Sequence, residues 1–170
     1  ALEGAAGLCL SRTHYHIVLE HWLLKILERT NTDLDAIARQ FDVNLSQVAS
    51  DLVRTIDTFR SGNGRSPDLS QEVVDAMRNG WLLASVDYGD HAVRTGYLLA
   101  ALLSNDGSRR SLAASSPELA KIPADALCNQ LRTITAETDE APSSAAAEAG
   151  PQTSGPAAAG SGALQQFTID

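Results

Sequence analysis

Four histidines, two cysteines and a scatter of carboxylates are the side chains with chemistry to offer in this sequence. His14 and His16 flank Tyr15 and present two imidazoles. Two nitrogen ligands without cysteine or carboxylate support fall short of the four a zinc site takes, so no metal ligands are assigned. His21 follows Glu20 inside an apolar helical pattern, which suits packing or capping. His91 lies near Arg94. Cys9 sits between Leu8 and Leu10, and Cys128 follows Leu127. Neither has a neighbour that would lower its pKa, so buried, inert thiols in a reducing compartment are expected. Asp57, Asp68, Glu72 and Asp75 read as solvated helix faces, with no pair tied to a pocket. The segment Ser61-Gly62-Asn63-Gly64 is glycine-rich but follows no strand. A phosphate loop also needs a lysine after glycine, and Lys25 and Lys121, the only two lysines, do not provide it. No catalytic, metal-binding or cofactor-binding residues are expected.

The elements that carry these residues read as helices. Leu19, Trp22, Leu23, Ile26 and Leu27 recur at helical spacing, as do Leu34, Ile37, Ala38 and Phe41 after the start signal Thr32-Asp33. Val48, Leu52, Ile56 and Phe59 form a third stripe. Beyond the loop at 61–67 come Leu69, Val73, Val74, Met77, Trp81 and Leu82, then Tyr97, Leu98, Ala101 and Leu102. Leu127, Leu131 and Ile134 close the pattern. No stretch alternates for long enough to suggest a sheet.

With 170 residues, 44% of them apolar, the chain can build one domain and a tail. Its net charge of −8 repels phosphate backbones, so no nucleic-acid partner is expected, and no apolar run is long enough to span a membrane. From Thr135 to Gly162 there is no Lys, Arg, aromatic residue, Val, Ile, Leu or Met. Such a segment buries too little to offset its ordering entropy and reads as a linker. The expected organisation is therefore a helical domain over 1–134, a flexible Ala/Ser/Gly/Pro linker over 135–162, and the start of a further module over 163–170.

A shift of 75 residues superimposes one half of the domain on the other. Trp22-Leu23-Leu24 falls on Tyr97-Leu98-Leu99, His16 on His91, Leu27 on Leu102, Leu52 on Leu127, Ile56 on Leu131 and Phe59 on Ile134. An internal repeat of this length predicts an all-α fold of two four-helix units, related by a pseudo-twofold axis and sharing one core. On that symmetry the first helix, near Leu2, should meet the fifth, near Leu69 to Trp81.

The run Glu20-His21-Trp22-Leu23-Leu24-Lys25-Ile26-Leu27, with its second copy at Thr95-Gly96-Tyr97-Leu98-Leu99, resembles the signature of the Clp N-terminal repeat domain. The His-Trp-Leu form of the first copy and Arg94-Thr95-Gly96-Tyr97-Leu98 in the second are similar to the ClpV (TssH) branch of type VI secretion. Leu164, Phe167, Thr168 and Asp170 resemble the lead-in to a first AAA+ module. Members of that branch carry a further stretch before the position of Ala1, so part of the first helix is expected to be missing.

The resemblance implies a cytoplasmic bacterial binding module of a hexameric ATPase, monomeric as a fragment. ATP and Mg would serve only AAA+ modules outside this chain. The implied partner is TssC (VipB), whose N-terminal helix is recognised so that the contracted TssB/TssC sheath can be taken apart. The alternative is a ClpB-like disaggregase N-domain that collects unfolded or aggregated protein, and an unrecognised small helical enzyme is the outlying case. A guest helix needs an apolar groove. The expected walls are Leu2, Ala5, Ala6 and Cys9 on the first helix and Pro67, Leu69, Val73, Val74 and Met77 on the fifth.

Overall fold

The computed structural model describes residues 1–141. Eight α-helices occur among them, joined by short loops: α1 (Leu2–Ser11), α2 (Leu19–Leu27), α3 (Asp33–Gln40), α4 (Leu45–Asp57), α5 (Gln71–Leu82), α6 (Thr95–Ser104), α7 (Asp106–Ser115) and α8 (Ala124–Ile134). A π-helical turn, Leu83–Asp87, extends α5, and a 3-10 turn, Pro117–Lys121, precedes α8. None of these helices is long and apolar enough to cross a membrane.

Local chemistry sets the boundaries. Thr32 caps α3 by accepting the Asp35 amide, and the Asp35 carboxylate returns a bond to the Thr32 amide. Asn44 and Ser70 cap α4 and α5 in the same sense, accepting from Gln47 and Val73. The repeat is realised in space: α2 answers to α6, α3 to α7 and α4 to α8, and residues of both halves share one core. The centre of that core is α6, whose residues from Gly96 to Leu103 are all buried. Helices α3, α5, α7 and α8 surround it.

The expected packing of α1 along α5 is corrected in part: α1 packs mainly on α2 and α5 mainly on α6, and α1 and α5 approach each other where Leu2 and Met77 line one cleft. The small faces of α1 at Ala5 and Cys9 draw it onto α2, while Gly80 lets α5 approach α6 so closely that an added Cβ would stand 2.8 Å from a Leu98 methyl. The segment that follows α1 and the segment that precedes α5 meet by backbone pairing. His16 and Ile17 (β1) pair in parallel with Asp68 and Leu69 (β2), strands too short to show in any alternation of sequence.

Past the expected domain end at 134 the chain stays on the body. Residues 135–141 belong to the folded body: Thr135 and Thr138 are buried and hydrogen-bonded to it. Their composition hid this, because the anchoring is polar. The remainder of the expected linker, 142–162, and the lead-in at 163–170 lie outside the described residues.

Candidate partner-binding cleft

The nine candidate groove residues do not form one channel. Ala5, Cys9 and Val73 are 0% exposed and belong to the core, so they offer no surface to a guest. The Cys9 thiol donates to the carbonyls of His14 and His16, and burial raises its pKa. Ala6, Val74 and Pro67 are half-buried, and Leu69 is exposed in β2. Only Leu2 and Met77 come together, on the wall of a cleft of about 550 Å³.

That cleft lies where the start of α1, the latter half of α2, the middle of α5 and the approach to α6 converge. Its floor is Trp22, Ile26 and Leu98, all buried, and Val93, 39% exposed, stands with Leu2 and Met77 at the walls. Arg29, Arg94, Thr95, Asp139 and Glu140 edge it with charge and hydrogen-bonding groups. An apolar floor with a polar rim suits the apolar face of a helix or extended segment. Sequence reasoning missed Val93, Ile26 and the rim because they come from turns and helix ends. The Trp22/Tyr97 repeat position was the available signal for the floor.

A polar junction fixes one side of the cleft. The Arg94 guanidinium donates to both oxygens of Asp33, at 2.9 and 2.7 Å, and to the Thr135 carbonyl at 2.7 Å. Burial pulls the Arg94 pKa down, but the bond and charge of Asp33 more than offset that, and the net direction is upward. Helix α6 has no side-chain cap of its own. Its first amides are met from afar: Glu140 accepts from the Thr95 amide at 2.6 Å and Asp33 from the Gly96 amide at 3.3 Å. Gly96 is required there, since a Cβ would stand 2.8 Å from an Asp33 oxygen.

The histidines have structural places. The Val18 amide donates to Nδ1 of His21, which puts the His21 proton on Nε2, facing Nδ1 of His14 at 2.9 Å. The two rings pack with Phe59. Burial first, then the neighbouring His14 and Arg12, lower the His21 pKa to about 4. His16 and His91 are exposed. Glu20 accepts from Ser115, Asp57 pairs with Arg12, and Asp75 pairs with Arg78. Burial raises the pKa of Glu72. Among the described residues, no three histidines, cysteines or carboxylates lie close enough to hold a metal ion.

The model of the Clp repeat (R) N-terminal domain matches residues 1–115. The chain is 34% identical over 179 residues to the AAA+ ATPase ClpV1 of Pseudomonas aeruginosa. That alignment takes in 100% of this chain and 20% of the relative, so the chain spans about a fifth of its length. A solved chain described under the words "Coevolution of the ATPase ClpV, the TssB-TssC Sheath and the Accessory HsiE Protein Distinguishes Two Type VI Secretion Classes" superposes with a TM-score of 0.78 at 32% identity. The superposition covers 82% of this chain and 86% of that one. Another, described as "Peptide from EAEC T6SS Sci1 SciI protein", gives a TM-score of 0.71 at 30% identity, covering 83% of this chain and 88% of that one.

Proposed function

The chain belongs to the Clp repeat N-terminal domain family, and on that premise we propose that it selects the sheath subunit TssC (VipB) for a ClpV-type unfoldase of bacterial type VI secretion. The observation that carries this reading is the similarity to ClpV1 along the whole chain. The cleft supplies the means. Leu2, Met77 and Val93 would grip the apolar anchors of a guest helix above the floor of Trp22, Ile26 and Leu98. Exposed Arg29 and Asp139, of opposite sign on the rim, would set its direction.

The domain works by binding, without a cofactor of its own, in the cytoplasm. ATP and Mg would be used by AAA+ modules of the longer, hexameric protein. The residues present do not fit ATP, because neither Lys25 nor Lys121 stands behind a glycine loop. A cleft this size supports only a small interface, for which micromolar affinity is the expected range. Six copies acting together would raise the effective grip.

Calorimetric titration with the N-terminal helix of the cognate TssC, beside a scrambled peptide, tests the reading. Saturable binding of the native peptide alone supports it. Equal binding of the scrambled peptide, or of an unfolded model protein, would replace sheath selection with the general chaperone role of a ClpB-like domain.

A further inference from the structure

Residues 135–141 do more than end the fold. They cross from α8 to the mouth of the cleft and are fastened there at four points. Arg94 donates to the Thr135 carbonyl, and Thr138 donates to Asp33. The Asp139 amide donates to the Asn31 carbonyl at 3.1 Å, while the Asn31 side chain donates back to Asp139 at 2.7 Å. Glu140 accepts from both the amide and the hydroxyl of Thr95. Asn31, Arg94 and Thr95, which hold the strap, and Asp139 and Glu140, which belong to it, all line the cleft.

We propose that this strap is one lip of the partner cleft, and that its fastening and the seating of a guest helix stabilise each other. The proposal rests on the cleft being where the sheath helix binds. A guest lying on Leu2 and Met77 touches the lip only when Asp139 and Glu140 are held in place. Unfastening removes that lip and strips the remote cap from the first amide of α6, the helix that carries Leu98 into the floor. Coupling of this kind is reciprocal: whatever the strap adds to guest affinity, the guest adds to strap fastening. The strap also leads into the segment that begins at residue 142, so occupancy of the cleft is felt at the root of that segment.

The test uses the full 170-residue chain and the TssC N-terminal helix peptide. Amide exchange at Asp139 and Thr95 is followed with and without saturating peptide. Peptide affinity is measured for wild type, Glu140→Ala and Asp139→Ala, with helix content checked for each. The expected result is slower exchange at both amides on binding and on the order of a fivefold loss of affinity in each variant. Binding by wild type with unchanged exchange and unchanged variant affinity overturns the coupling and leaves the cleft reading standing. No binding by wild type overturns the sheath reading and this proposal together.

Discussion

Acid should destabilise this domain through His21. His21 is fully buried, and its two ring nitrogens are committed: one accepts from Val18, the other donates to His14. A second proton on the ring would land on Nδ1, eject the Val18 amide and place a charge beside Arg12. The folded pKa of about 4 lies below the ordinary 6.5. Above pH 6.5 both the folded and unfolded rings are neutral, and stability is unaffected by this group. Below it the unfolded chain takes up a proton that the folded chain refuses, so stability falls as pH falls, and the fall ends near pH 4. The slope approaches about 1.4 kcal/mol per pH unit, and the loss by pH 4 is roughly 3 kcal/mol. His14, also lowered by burial and by Arg12, adds in the same direction. Urea unfolding at half-unit intervals from pH 8 to pH 5 measures it: Glu118, held low by Lys121, loses its contribution only below that window, while Glu72, raised by burial, works in the opposite direction as pH falls and does so equally in wild type and variant. In His21→Asn the amide oxygen can still accept from Val18, but the group no longer titrates, and the slope between pH 6.5 and 5 should fall by at least half. Parallel slopes for wild type and variant would refute the assignment.

Arg94→Ala leaves the Asp33 carboxylate, only 2% exposed, with no cation beside it; a loss of about 3 kcal/mol in the urea-unfolding free energy is expected. Gly96→Ala forces a methyl toward Asp33 and a Leu131 methyl, and should lower the stability by about 2 kcal/mol without changing the helical circular dichroism. Met77→Asp places a charge in the cleft wall and should reduce TssC-peptide affinity at least tenfold while the melting temperature moves little. Val73→Asp, by contrast, buries the charge in the core and should show as lost stability.

The helices and the repeat were legible because they rest on apolar periodicity: Trp22 and Tyr97, or Leu52 and Leu127, occupy matching places in matching helices. The docking of those helices was not legible. Whether α1 turns to α2 or to α5 depends on which faces are small enough to approach, and Gly80 and Cys9 reveal that only once the neighbours are in place. The candidate groove suffered for the same reason. An apolar stripe marks core and cleft alike, and Ala5, Cys9 and Val73 went to the core while Leu2 and Met77 kept an open side. The strap escaped notice because threonine, aspartate and glutamate in an Ala-rich stretch look like solvent-loving chain. Only the half-buried Arg94 and the bare start of α6 give them a purpose.

Those remote caps set a timetable for synthesis. Residues 96–103 of α6 are wholly interior, yet the protein partner of the first α6 amide lies 45 residues later in the chain, at Glu140. As the polypeptide leaves the ribosome, the first unit can gather on its own apolar stripes. The central helix stays incomplete until residue 140 has emerged. A nascent chain halted between 104 and 140 therefore presents Tyr97, Leu98, Leu99 and Leu102 without their final seating, and that interval is when it is most exposed to aggregation. Limited proteolysis of stalled chains of graded length should show protection of α6 rising only once the strap has been made.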